Sequence, residues 1–220
     1  EGSAPIPSAP DDHGTTSAAS PVRTPSHSSA KRSRGALAIE CFGTFGLVLV
    51  VGLTGNPLAI GAALAAMVYM GGYISGGHYN PAVTLAVLLR GGTIDAKSAA
   101  LYGLAQVGGA FAAAVSVLLV QGTAFVPQPS PGSTFLAATF LELVSTFLLA
   151  TVVLHVATSA KTRGNQYFGL AIGFTVMALA FAAGPISGGV FNPAVALGTV
   201  LVDLKNFSDL KNTLDIGDFV

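Results

Sequence analysis

Residues 74–83 read Ile-Ser-Gly-Gly-His-Tyr-Asn-Pro-Ala-Val, and residues 186–195 read Ile-Ser-Gly-Gly-Val-Phe-Asn-Pro-Ala-Val. The two stretches lie 112 residues apart, and so do Ala59-Ile60-Gly61 and Ala171-Ile172-Gly173. Aligned without gaps, residues 59–83 match 171–195 at 13 of 25 positions, far above chance. The repeat extends upstream, where Glu40-Cys-Phe-Gly-Thr44-Phe45 parallels Glu142-Leu-Val-Ser-Thr146-Phe147. Internal self-similarity of this kind marks a duplicated supersecondary unit.

Each decapeptide joins a long apolar run to a short one. Five runs are long enough to cross a bilayer: Ala36–Leu53, Pro57–Ile74, Ser98–Leu119, Thr134–Ala157 and Tyr167–Ala183. An 18-residue helix covers about 27 Å, close to a hydrocarbon core of about 30 Å. Asn80–Leu89 and Asn192–Val202 are too short to span. Both open with Asn-Pro-Ala, and proline is pre-set for the first helical position. These runs are therefore expected to be half-helices that start at membrane depth. Irregular backbone is tolerated there only where protein buries it or where it lines a wet cavity.

Three spans in the first repeat force the second to enter from the opposite face. The result is an inverted pair whose site lies at the midplane, where the half-helices meet. Their positive dipole ends converge on Asn80 and Asn192.

Composition agrees. Of 220 residues, 51% are hydrophobic and only 9% charged, with a formal net charge of zero. Mean hydropathy is +0.67. A soluble domain carries about 25% charged residues. Ten Lys/Arg against ten Asp/Glu leave no basic footprint for nucleic acid. The single Cys41 excludes a disulfide framework. No phosphate-cradling loop, metal-ligand spacing or enzyme constellation appears, so neither catalysis, a metal nor a cofactor is expected.

Eight of the ten Lys/Arg fall on one side of the expected topology: Arg23, Lys31, Arg32, Arg34, Arg90, Lys97, Lys161 and Arg163. That side is expected to be cytoplasmic. Residues 1–34, rich in Ser and Pro, read as a disordered cytoplasmic tail. Residues 35–202 form the membrane domain, with repeats at about 36–119 and 134–202. Residues 203–220 carry Asp203, Lys205, Asp209, Lys211, Asp215 and Asp218. They read as a polar exit from the second half-helix, on the non-cytoplasmic side, rather than as a span.

Paired Asn-Pro-Ala boxes, each after Ser-Gly-Gly and each preceded by a Glu-bearing span, resemble the aquaporin or major intrinsic protein family. The resemblance covers about residues 36–202. It implies an all-α fold with six spans, of which the sixth is not supplied here, as in a channel cut before its last helix. It also implies passive permeation, commonly by homotetramers with one pore per subunit.

Carried over residue by residue, Asn80-Pro81-Ala82 and Asn192-Pro193-Ala194 become the pore boxes. The two Asn amides donate to a passing water; capping of the half-helices is the plainer role and is compatible with it. Glu40 and Glu142 are implied to orient the loops by accepting their N–H groups, with ion coupling as the alternative. The outer selectivity filter maps to Ile60, Ala180, Gly189 and Val195. Here the chain departs from the common pattern, in which an Arg occupies the position of Val195. A small apolar filter points to water plus small neutral solutes such as urea, ammonia, hydrogen peroxide and glycerol. Ala196, where glycerol-type members usually carry Asp, argues weakly against a dedicated glycerol channel. His78 is either a packing residue or a gate that responds to pH. Cys41 lies away from the filter, so mercurials are not expected to block there. Competing readings are a secondary transporter, a membrane-junction protein and a non-conducting fragment. Substrate flux and vesicle pairing would separate them.

Overall fold

A computed structural model describes residues 34–203. All but the last residue of the expected tail, and all but the first of the exit segment, lie outside the described residues. Seven α-helices follow one another: α1 (Arg34–Thr54), α2 (Pro57–Ser75), α3 (Pro81–Arg90), α4 (Ala96–Gln121), α5 (Phe135–Thr158), α6 (Phe168–Ser187) and α7 (Pro193–Asp203). Among the described residues there is no strand. Five helices are long and apolar enough to cross a membrane, and α3 and α7 are the two short ones.

The helix starts follow local chemistry. Pro57, Pro81 and Pro193 each open a helix, where their missing N–H costs nothing. Asn56 accepts from the backbone N–H groups of Leu58 and Ala59, Asp95 from Ser98, and Thr134 from Ala137. The ends of α2 and α6 are twins. Gly76 and Gly188 both sit at φ 96°, and each donates its N–H to a carbonyl four residues back at 3.0 Å. That left-handed cap is a glycine conformation.

The sequence places the end of the fifth span at Ala183, before Gly184-Pro185. The helix instead runs on to Ser187 with Pro185 inside it. Proline removes one N–H from the ladder. Separately, the loop after α4 meets the carbonyls at the helix end: Ser130 donates from Oγ to the Pro185 carbonyl, and from its N–H to that of Ile186 at 3.2 Å.

Pairing of the helices repeats the sequence duplication. α1 packs on α2 as α5 packs on α6, and α4 packs on both α1 and α7. α2 crosses α6 at the pseudo-twofold axis. The crossing point is Gly61 against Gly173, the same position in the two repeats. A Cβ on Gly61 would lie 2.6 Å from the Gly173 carbonyl oxygen, and one on Gly173 would strike that of Gly61. Gly61→Val is therefore expected to destabilise by about 3 kcal/mol or more, since backbone cannot yield as a side chain can. A loss of folded protein in detergent, read by size-exclusion profile, checks it; an unchanged profile contradicts it.

Only 22% to 39% of the apolar window of each long helix is buried within the protein. Phe135, Leu136, Leu143 and Phe147 of α5 are among the large side chains left outside. Such faces need an apolar solvent, and the lipid hydrocarbon supplies it. The protein is an integral, multi-pass membrane protein.

Candidate functional site

The loops 76–80 and 188–192 enter the protein from opposite ends and touch at its centre. Each turns on a bulky residue in the left-handed region: Tyr79 and Phe191 both have φ 47°. That conformation costs a non-glycine residue free energy and persists only when its surroundings fix it. Two devices fix it here.

The first is burial. Tyr79 is fully buried and Phe191 nearly so. The Tyr79 ring lies against Gly43 and Gly71, where any larger residue would collide with it. Its hydroxyl donates to the Met67 carbonyl at 2.9 Å.

The second is a carboxylate in each half. Glu40 of α1 accepts from Ser75 Oγ at 2.6 Å, His78 N at 3.0 Å and Tyr79 N at 2.7 Å. Glu142 of α5 accepts from Ser187 Oγ at 2.7 Å, Val190 N at 3.0 Å and Phe191 N at 2.7 Å. The two sets match donor for donor. They differ in depth: Glu40 is fully buried and takes a fourth bond, from Gln106 Nε2 at 2.8 Å, whereas Glu142 is half-buried. A buried charge surrounded by donors is held rather than exposed to solvent, which suits an anchor.

The Asn pair is locked more tightly than capping alone requires. Asn80 Oδ1 accepts from Ala82 N at 2.9 Å, and Asn192 Oδ1 from Ala194 N at 3.0 Å. These are the caps of α3 and α7. Each amide also reaches across the pseudo-twofold: Asn80 Nδ2 donates to the Phe191 carbonyl at 2.8 Å, and Asn192 Nδ2 to the Tyr79 carbonyl at 2.9 Å. A carboxamide has two N–H donors. Cap and cross-tie fix its plane and use one donor, which leaves one N–H per Asn.

Both Asn residues line a narrow inner cavity of about 40 Å³, whose other walls are mostly aliphatic, including Leu64, Val153 and Ile172. His78 lines it too. A wider space of about 680 Å³ adjoins it, with Phe125, Pro127 and Phe181 on its walls. Ile60 and Gly189 border both spaces, Val195 only the inner and Ala180 only the outer. The four mapped filter positions thus divide between the two spaces at their join. None of the side chains lining either space is charged.

The remaining residues fall in minor places. Cys41 lines neither space, and its carbonyl packs against Gly109 of α4. His155 is exposed and bonds through Nδ1 to the Thr151 carbonyl at 2.8 Å. Tyr102 donates to the Ser75 carbonyl at 2.9 Å and so holds the start of the first loop. Among the described residues, no group of three or more His, Cys, Asp or Glu could hold a metal ion.

Sequence reading missed the loop after α4, from which Pro127 borders both spaces. It also missed Gln106 and Thr84, whose side chains join the first loop's network. Neither carries a motif. The aromatic twins Tyr79 and Phe191 were visible at the repeat spacing, but nothing in their type announces a left-handed backbone.

Residues 48–211 match the model of the major intrinsic protein family. Aquaporin NIP1-4 of Oryza sativa subsp. japonica is 40% identical over 153 residues, covering 69% of this chain and 55% of that protein. Glycerol uptake facilitator protein-like 6 of Lactiplantibacillus plantarum is 38% identical over 182 residues, covering 74% of this chain and 81% of that protein. The chain spans about half the length of the plant relatives it matches, 55% and 52% for two of them. The X-ray structure of the aquaglyceroporin from Plasmodium falciparum superposes with a TM-score of 0.68 at 24% identity, over 83% of this chain and 86% of that one. The duplicated helices, the crossed Asn pair and these matches lead to one conclusion: the chain belongs to the major intrinsic protein family.

Proposed function

We propose that the protein is a passive channel for water and small neutral solutes, among them urea, ammonia, hydrogen peroxide and glycerol. One observation carries the reading: two Asn amides, each fixed by a cap and a cross-tie, each keep one N–H for an aliphatic cavity. A water or hydroxyl oxygen accepts from that pair as it passes. The helix N-termini behind them repel cations, and no charged group along the walls offers a resting place.

Ile60, Ala180, Gly189 and Val195 form the outer filter in this reading. With no arginine among them, size and apolarity select the solute. Glu40 and Glu142 act as anchors, since every bond their carboxylates make goes to the loops, to the serines that end α2 and α6, or to Gln106. The end bearing Arg34, Arg90, Lys97, Lys161 and Arg163 faces the cytoplasm. In this reading the protein associates into homotetramers, each subunit with its own pathway.

The concentration dependence of solute entry into proteoliposomes tests this against a coupled transporter. A channel gives flux that rises linearly with urea or glycerol concentration and ignores ion gradients. Saturation together with gradient-driven uptake would assign the protein to the transporters. Mercurial reagents are expected to leave the flux unchanged, because Cys41 lies outside both spaces; block of the native protein that Cys41→Ser abolishes contradicts this.

A further inference from the structure

The two halves differ at one place that the duplication does not explain. Tyr69, Gly72 and Tyr73 of α2 recur 112 residues on as Phe181, Gly184 and Pro185 of α6. Tyr73 keeps a backbone N–H for the Tyr69 carbonyl, but Pro185 has none for that of Phe181. The proline ring also pushes against that carbonyl. Among the described residues, no side chain and no N–H from outside α6 donates to it. Ser130 meets the carbonyls of Pro185 and Ile186 and leaves that of Phe181 alone.

The freed group lies on a wall of the outer space. Phe181, Gly184, Pro185 and Gly188 all line that space, at the spacing of one helix face. A helix carbonyl points toward the residue four places on, so that of Phe181 lies between Gly184 and Pro185. Gly184 has no side chain to screen it, and a Cβ there would meet nothing within 4 Å. Thr54 is the one polar side chain lining the outer space among the described residues. Its hydroxyl is engaged both ways: it donates to the Val50 carbonyl at 3.3 Å and accepts from Asn56 N at 3.0 Å. A carbonyl released within a membrane helix needs a donor, from a neighbouring group or from a wet cavity. Here the donor comes from what enters the outer space.

We propose that the Phe181 carbonyl, released by Pro185, is the hydrogen-bond acceptor of the outer mouth and favours solutes rich in N–H or O–H groups. The proposal rests on the channel reading above. Asn80 and Asn192 offer donors at the centre, so they take a solute's oxygen. An acceptor at the mouth takes the other kind of group. Urea carries both, a carbonyl oxygen and several N–H groups. Shedding water before an apolar constriction leaves those N–H groups unpaired, at a cost for each. The Phe181 carbonyl offsets part of that cost beside the filter positions Ala180 and Gly189, which border the same space. Water keeps bonds to the waters before and behind it, so it depends on this acceptor less.

The test is urea and water permeability of proteoliposomes holding native protein, Pro185→Ala or Tyr73→Ala. Alanine at 185 restores the ladder N–H and keeps the carbonyls that Ser130 meets. Urea permeability should then fall about fivefold, the factor of one ordinary hydrogen bond, and water permeability by about twofold at most. Tyr73→Ala changes no ladder bond and should leave the urea-to-water ratio as it is. Equal falls for both solutes in Pro185→Ala, no fall for urea, or the same change of ratio in Tyr73→Ala overturns the proposal while leaving the channel intact. Native permeability no higher than in empty vesicles would instead overturn the channel reading, and the proposal with it. A second measurement does not depend on flux. In infrared spectra of protein carrying ¹³C-carbonyl phenylalanine, Pro185→Ala should move one labelled band to the lower frequency of a helix-bonded carbonyl. Identical labelled spectra overturn the assignment.

Discussion

Glu40→Ala is expected to unfold the protein in detergent at a much lower temperature than Glu142→Ala. Both substitutions remove the carboxylate that satisfies a loop, so the duplication alone predicts equal effects. The difference comes from depth and from the fourth partner. Glu40 is fully buried, and its loss strands Ser75, the N–H groups of His78 and Tyr79, and Gln106 Nε2. Each buried donor left without an acceptor costs roughly 1–3 kcal/mol, so the total is on the order of 5 kcal/mol. Water can reach half-buried Glu142 and replace part of what is lost, so about half that cost is expected there. The left-handed Tyr79 would relax as well, and with it the loop that carries Asn80. Thermal midpoints of the two variants decide the matter; equal midpoints, or a silent Glu40→Ala, would show that the network around Gln106 contributes nothing.

The second large effect concerns the crossed Asn pair. Asn80→Ala removes the α3 cap, the bond to the Phe191 carbonyl and one donor in the cavity. Asn192→Ala does the same for α7 and Tyr79. A cap and a neutral hydrogen bond are each worth about 1 kcal/mol, so each variant should fold less stably by about 2 kcal/mol. Water permeability per folded protein should drop about tenfold, the factor for losing one well-placed donor of about 1.4 kcal/mol. Both cross-ties join the same two loops, so cutting one leaves the other to hold them. The double variant should therefore cost more stability than the two singles added, by about 1 kcal/mol. Strict additivity by chemical denaturation would mean that the two bonds act independently.

Much of this arrangement was legible before any coordinates. The spacing of the two boxes led to an inverted pair, and the apolar runs located the helices to within a few residues. The exception was α6, which passes through Pro185 to Ser187, where Ser130 of the loop after α4 meets the carbonyls at the helix end. A proline reads locally as a stop, and a helix end met from a distant loop is a tertiary event. The same limit applies to the site. Asn80 and Asn192 announced themselves as caps, but their bonds to each other's loops join residues 111 and 113 apart in the chain. Gln106 and Thr84 have no spacing that marks them, since their roles arise only when α4 lies against α1 and α3. The outer space depends on Pro127, from a loop whose composition suggests only a turn. Motifs report what the backbone must do locally; who completes a network is decided by packing.

The central claim is that the crossed Asn pair lies on a path for neutral solutes that excludes ions. Stopped-flow light scattering on proteoliposomes, with proton and potassium flux followed in the same vesicles, addresses it most directly. The account predicts osmotic shrinkage well above that of protein-free vesicles, entry of at least one of urea, ammonia, hydrogen peroxide or glycerol, and ion flux at the background level. Shrinkage and solute entry no faster than in empty vesicles, or an ion leak that rises with the amount of protein, would contradict it.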